Sequence, residues 1–223
     1  MPNPNLGWEE VKYLDLAKQT FGDKHVKHFD VGFNRGYFAE TWLEIFPDSE
    51  IFGFEPIPDI FKIAKETFKN DNKVKIYNFG LSDEAGKMNF YYLLDGLDGC
   101  SGLYRRPVYD KFKYKEINVD IRIFDTFRHN FPMANFIKID VEGAELKVLK
   151  GMKLYLKEAK PKFIHFESGD CTTDQKITFK EIWEFLESYN YEIMNRDFVI
   201  TPAVAITDNY EGQNYLAIRK NNL

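Results

Sequence analysis

The stretch Asp30-Val31-Gly32-Phe33-Asn34-Arg35-Gly36 stands between a short apolar run, Val26 to Val31, and a segment, Gly36 to Phe46, that carries Phe38, Trp42, Leu43 and Phe46 at helical spacing. Strand, glycine turn and helix in that order open an α/β unit. The pattern repeats at once. Ile51 to Phe54 reads as a strand and Pro58 to Phe68 as a helix, with Ile60, Ile63, Ala64 and Phe68 as its buried stripe. In an open parallel sheet, ligands bind beyond the carboxyl ends of the strands, near the point where strand order reverses, and the 30–36 loop belongs there.

Gly32 and Gly36 let the backbone come close to a ligand, and Glu55 ends the second strand 23 residues beyond Gly32. At about that distance an acidic residue reaches ribose hydroxyls, so an adenosine-containing cofactor is implied. A nicotinamide dinucleotide would call for G-x-G-x-x-G, whereas the spacing here is G-x-x-x-G with Asp30 two positions before the first glycine. A carboxylate repels a pyrophosphate but attracts the amino group of a methionine-type cofactor. The plain alternative is a tight turn with a structural aspartate.

Further along, Trp8 to Phe21 reads as a leading helix with Trp8, Val11, Leu14 or Asp15, and Lys18 on one side, ended by Gly22. Val74 to Phe79 is a third strand. Lys87 to Leu93 and Glu116 to Phe124 alternate like paired, half-buried strands, with an irregular insertion between them. Phe136 to Asp140 reads as a buried strand, Ala144 to Leu156 as a helix carrying Leu146, Leu149 and Met152, and Lys162 to Phe166 as a strand after Pro161. A helix over Phe179 to Tyr189, with Ile182, Phe185, Leu186 and Tyr189 inward, precedes strands near Tyr191 to Met194 and Tyr215 to Ile218. Strands alternating with helices predict a mostly parallel sheet covered on both faces, within a single domain over 1–223.

The 223 residues include 21 Phe and 13 Tyr, which suits a packed core, and the net charge of -5 without a long basic run argues against nucleic acid. Cys100 and Cys171 show no metal-binding spacing and read as free thiols in a reducing compartment. The first ten residues lack the basic and apolar regions of a signal peptide, and no stretch approaches the ~20 apolar residues of a membrane span. These features predict a cytoplasmic protein.

The run Ile137-Lys138-Ile139-Asp140-Val141-Glu142-Gly143-Ala144-Glu145-Leu146, continued by Val148-Leu149-Lys150-Gly151, resembles the signature of the FkbM methyltransferases. In that family a strand ending in D-x-E-G-A-E opens a helix that a glycine closes. Asp30 to Gly36 resembles the family's cofactor loop, with Phe33 where a smaller residue is more usual, and the resemblance runs from Lys27 to about Ile218. It implies a Rossmann-like class I methyltransferase fold with seven strands, an inserted hairpin and loop over 84–124, and S-adenosylmethionine as cofactor, leaving as S-adenosylhomocysteine. By carry-over, Asp30, Gly32, Asn34 and Gly36 line the methionine side, Phe33 and Phe38 join the cofactor-binding set, and Glu55 takes the ribose. Ser82 and Asp83 would take the adenine, and Asp140 touches the cofactor as well. The implied activity is O-methylation, with a sugar hydroxyl of a glycan or its precursor as acceptor and a secondary metabolite as the alternative.

Asp140 and Glu142 lie two apart at a strand end and point the same way, as do His165 and Glu167. These four are the candidates for the base that takes the acceptor's proton. The plainer readings are a satisfied sheet histidine for His165, which outweighs catalysis there, a cap for Glu142, and a charge favouring a helix N-terminus for Glu145. Asp140, Glu142 and Glu167 offer oxygen ligands for magnesium, yet clustered carboxylates are weak grounds for a metal and none is expected. The insertion Asp95 to Arg106, followed by Tyr109, Phe112 and Tyr114, has glycines for mobility and aromatics that suit a polyhydroxylated acceptor. Arg105 or Arg106 is placed to hold an acidic one. Two other classes compete: a nicotinamide-dependent oxidoreductase and a methyltransferase-like module that binds without catalysis. DNA amino-methylation is disfavoured, because Asp140-Val141-Glu142-Gly143 is no apolar clamp for a flipped base.

Overall fold

In the computed structural model, which describes residues 8–195, 197, 199 and 213–220, the decisive turn leaves β1 (Lys27–Val31) and enters α2 (Tyr37–Ile45). The leading helix α1 (Trp8–Phe21) precedes them and closes with Gly22 at a positive φ. β1 lies between β2 (Glu50–Phe54) and β7 (Phe136–Ile139), parallel to both. β3 (Val74–Tyr77) extends the sheet beyond β2, and β8 (Phe163–Ser168) extends it beyond β7. β10 (Gln213–Arg219) runs antiparallel between β8 and β9 (Tyr191–Met194), giving the order β3-β2-β1-β7-β8-β10-β9. Strand order reverses at β1, so the loops after β1, β2 and β7 open a crevice.

Alternation along the strands sends successive side chains to two cores. Phe29, Val31, Ile137, Ile139, Ile164 and Phe166 pack against α4 (Glu145–Gly151), α5 (Lys153–Ala159) and α7 (Phe179–Ser188). Phe136, Phe163 and Leu216 pack on the other face against α1, α2 and the end of α3 (Pro58–Thr67). On that second face the strand interior also carries His28, Asp30, Lys138 and His165, all buried. Asp30, Lys138 and His165 stand side by side across three strands.

The two alternating segments pair as an antiparallel hairpin, β5 (Gly86–Leu93) and β6 (Tyr114–Arg122), and β4 (Gly80–Leu81) adds a third strand beside β6. Phe90, Val119 and Ile121 pack this small sheet on Ile57 and Ile60 at the start of α3. The stretch between the hairpin strands folds back instead of standing in solvent. Tyr91 and Gly102 exchange backbone hydrogen bonds of 2.9 and 3.2 Å, and the buried Tyr109 hydroxyl donates to the Cys100 carbonyl at 2.6 Å.

Several boundaries differ from the sequence pattern. Ala144 to Leu156 is two helices, broken at Met152, and Asp125 caps the second by accepting from the Leu154 and Tyr155 N–H groups at 2.8 and 2.9 Å. A short α6 (Asp170–Asp174) follows β8. Ile63 is 40% exposed, and the buried stripe is made by Ile60, Ala64 and, just past the helix, Phe68. On α1 the buried residues are Tyr13, Leu14 and Ala17, while Val11 and Lys18 are half-buried. On α7 Trp183 is buried alongside Ile182 and Leu186, whereas Phe185 and Tyr189 are half-buried. No helix among the described residues is long and apolar enough to cross a membrane.

Candidate active site

A cleft of about 220 Å³ opens where the sheet's order reverses, lined on one side by Gly32, Phe33, Asn34 and Glu55 and on the other by Lys138, Asp140 and Glu142. The first loop is held at its start by backbone hydrogen bonds. Gly32 and Phe33 N–H groups both donate to the Phe54 carbonyl, at 3.1 and 3.0 Å. Gly32 has φ 84°, and a Cβ there would lie 1.8 Å from the Asp140 carbonyl oxygen, so only glycine lets the two loops touch. Phe33, the unusual residue of this loop, is accommodated by another glycine. A Cβ on Gly53 would meet its ring at 2.2 Å, and the ring sits edge-on to Phe68 with centroids 5.6 Å apart.

Glu55 is buried with its carboxylate at the cleft wall. Its oxygens accept from the Asn34 N–H at 2.9 Å and the Ile57 N–H at 2.8 Å, tying the loops after β1 and β2 together. Burial outweighs those two bonds and pushes its pKa up to about 7. An acceptor group with spare lone pairs, short of water and short of charge compensation, fits vicinal hydroxyls of a ligand. The glycine cradle beside it fits close approach of that ligand's chain. The residues therefore fit an adenosyl cofactor.

Asp30 does not line the cleft. Burial pushes its pKa up to about 6, opposed by Lys138, whose Nζ lies 3.4 Å from Asp30 Oδ1, 3.2 Å from Asp140 Oδ2 and 3.3 Å from the Gly32 carbonyl oxygen. Burial by itself would lower the pKa of Lys138, but the two aspartates outweigh it and raise it. One ammonium thus fixes the first acidic residue, the first glycine and the acid at the end of β7. Sequence reasoning passed over Lys138, although a lone lysine inside the buried run Phe136 to Ile139 signals a buried partner.

Beyond β7 the chain turns through Glu142, at φ 55°, and Gly143, whose Cβ would lie 2.5 Å from the Cys171 carbonyl oxygen. The buried Glu145 staples this turn, its Oε1 accepting from the Val141 and Gly143 N–H groups at 3.1 and 3.2 Å, and burial pushes its pKa up to about 7. Glu167 stands behind Glu142, half-buried on β8. Burial first, and Asp140's charge next, push up this pair's pKa values, to about 8 and about 9. Oxygens of Glu142 and Glu167 and the Cys171 sulfur all lie within 4.8 Å of one another. Arg106 already answers this charge, donating from Nη1 to Glu142 at 3.0 Å and from Nε to Asp174 at 3.0 Å. Arg105 pairs with Asp110, so both guanidiniums are engaged within the protein.

Of the four base candidates, Asp140 and Glu142 line the cleft, and His165 and Glu167 do not. His165 is buried between Tyr13 and Phe38, ring centroids 5.5 and 5.8 Å away, and burial lowers its pKa to about 3. Of the cofactor set, Gly32, Phe33, Asn34, Phe38, Glu55 and Asp140 line the cleft. Gly36 backs the loop with its Cα against Phe68, and Ser82 and Asp83 lie past the wall formed by Gly80 and Leu81. The insertion supplies Asp98, Gly99, Ser101 and Leu103 to the same wall. It is anchored there by Arg35, whose Nε and Nη2 donate to Asp98 at 3.0 and 3.1 Å. Neither partner was nominated from sequence, since nothing local marks a pair 63 residues apart.

Solved structures share the architecture. Fibrillarin of Aeropyrum pernix, determined with natively bound S-adenosyl-L-methionine, aligns over 95% of this chain and 76% of its own with a TM-score of 0.51 at 12% identity. Two relatives resemble this chain in sequence: the 2-O-methyltransferase NoeI of Sinorhizobium fredii, 28% identical over 72% of this chain and 70% of that protein, and the hexuronic acid methyltransferase AglP of Haloferax volcanii, 29% identical over 77% and 68%. Residues 30–193, from the aspartate of the first loop to the ninth strand, match the Methyltransferase FkbM domain. With the glycine cradle, the buried Glu55 and the acid-rich turn after β7 inside that span, the chain belongs to the FkbM methyltransferase family.

Proposed function

We propose that this methyltransferase moves a methyl group from S-adenosylmethionine to a sugar hydroxyl of a glycan or its precursor. The observation that carries the reading is the facing of two walls across one cleft: Glu55 and the Gly32 loop on one, Asp140 and Glu142 on the other. The printed activities of NoeI and AglP support a sugar acceptor. Gly32, Phe33, Asn34 and Phe38 would hold the cofactor's amino-acid end and Glu55 its ribose. Bound there, S-adenosylmethionine supplies an electrophilic methyl on a sulfonium and leaves as S-adenosylhomocysteine.

The protein's own work is to orient and to take a proton. Positioning two reactants is the larger part of such a transfer. As the oxygen–carbon bond forms, the hydroxyl proton passes to a carboxylate within hydrogen-bond reach, and Asp140 and Glu142 are placed for it. Glu167 stands behind them, and His165 is a scaffold residue in this reading. The insertion within 84–124 serves as a lid whose Asp98, Gly99 and Leu103 close the acceptor side of a single-domain enzyme. The negative net charge and the two free cysteines support a cytoplasmic setting without nucleic acid.

Calorimetric titration with S-adenosylmethionine and with NAD tests the cofactor, and methyl transfer to a panel of hydroxylated sugars tests the acceptor. The expected result is binding of the methyl donor alone, weakened about 10- to 100-fold by Glu55→Gln. Failure to bind the donor would overturn the reading.

A further inference from the structure

We infer that Arg106 is a positioning residue that decides which of two neighbouring carboxylates is ionised: it draws the charge onto Glu142 and leaves the remaining proton on Glu167. The inference rests on the reading of the acid-rich turn as the proton acceptor for methyl transfer. It starts from an asymmetry in the cluster. Glu142 and Glu167, both half-buried, approach within 4.8 Å, where two carboxylates resist ionising together. A guanidinium touches one of them. Arg106 Nη1 is 3.0 Å from Glu142 Oε2, while Glu167 forms no ion pair among the described residues. A charge-assisted hydrogen bond of that length favours the ionised form of the carboxylate it reaches.

Arg106 is itself held fast. Its side chain is 14% exposed, and Nε is 3.0 Å from Asp174 on α6, so the guanidinium spans from the turn after β7 to the helix after β8. It arrives on the insertion, next to the cleft residues Asp98, Gly99, Ser101 and Leu103, so the seating of that segment brings the guanidinium to Glu142. The other groups facing Glu142 do not replace it. Asp140, Glu145 and Glu167 add negative charge from the turn, α4 and β8, and Asp174 is Arg106's second partner. Glu167 faces Asp140 and Glu145 as well, and the cations near it, Arg106 and Lys138 on β7, act on it without an ion-pair contact. The Cys100, Tyr109 and Cys171 side chains, from the insertion and α6, have pKa values raised by burial and stay neutral below pH 8.

Carbon-13 NMR of the free protein with labelled glutamate carboxyl carbons reads each site directly, with Glu142→Gln and Glu167→Gln used to assign the two signals. On raising the pH from 6 to 10, Glu142 should ionise before Glu167. In Arg106→Met the order should reverse or the two should titrate together, and Arg106→Lys should restore it. Glu167 ionising first in the unaltered protein, or an order unchanged in Arg106→Met, would overturn the inference. With an acceptor in hand, Arg106→Met should move the acid limb of the kcat profile to higher pH and leave KM for S-adenosylmethionine within about 3-fold, the kinetic signature of a shifted base. Absence of turnover by the unaltered enzyme would count against the proposed function and leave the NMR result to stand or fall alone.

Discussion

Lys138 stands directly opposite Asp30 in the register of β1 and β7, its Nζ 3.4 Å from Oδ1, with both side chains shut off from solvent. Removing one partner of a buried pair leaves the other charge uncompensated, at a cost of about 3–5 kcal/mol. Lys138→Met should lose stability on that scale in urea unfolding, and adding Asp30→Asn should recover part of it. Additive losses in the double variant would show that the two do not act as a pair.

Phe33 and Gly53 make a second coupled pair. Gly53→Ala pushes a methyl into the Phe33 ring, where 2.2 Å separates the atoms, and overpacking of this kind costs about 1–3 kcal/mol. Phe33→Ala leaves a cavity and costs about 3–5 kcal/mol. The double variant should be more stable than Phe33→Ala alone, as thermal unfolding would reveal.

The acid cluster sets a pH window. The Glu142–Glu167 pair titrates with apparent pKa values of about 8 and about 9 when folded, far above the unfolded values, so the folded state binds more protons than the unfolded chain. Stability must then fall as pH rises from 7 to 9, with a slope of up to about 1.4 kcal/mol per unit for each group. His28 and His165, whose pKa values burial lowers, are neutral in both states above pH 7 and do not enter. Glu167→Gln should flatten the curve; stability that rises over this window would contradict the assignment.

Arg35 and Asp98 join the insertion to the cofactor loop through two hydrogen bonds, yet Arg35 is 34% exposed. Asp98→Ala should change global stability by less than about 1 kcal/mol. Its effect should appear locally instead, as faster limited proteolysis between residues 95 and 113. Unchanged cleavage would mean that the Tyr109 and Gly102 contacts hold the segment without the ion pair.

Much of this architecture is legible in the chain because its signals are local. Glycine turns, apolar runs and helical spacing placed the strands and helices, and Gly32, Glu55 and Asp140 fell where an open α/β sheet puts its crevice. What escaped depends on residues far apart. The helix break at Met152 follows from Asp125 reaching in to cap α5, and the role of Lys138 follows from strand neighbours 108 residues away. Phe33 looks out of place until Gly53 is seen beneath it. His165 and Glu167, two apart on one strand, differ in fate because one meets the aromatic face of α1 and α2 and the other meets the turn after β7.

The place of β10 bears on how the molecule is made. Residues 213–219 pair with β8 on one side and β9 on the other, so a strand made after both of them fills a gap inside the sheet and not a place at its rim. Until then β8 and β9 each present an open edge, and the nascent chain must be kept from pairing with its neighbours. Synthesis up to β9 completes every described residue of the cleft, yet the sheet that supports it closes only once β10 has been made.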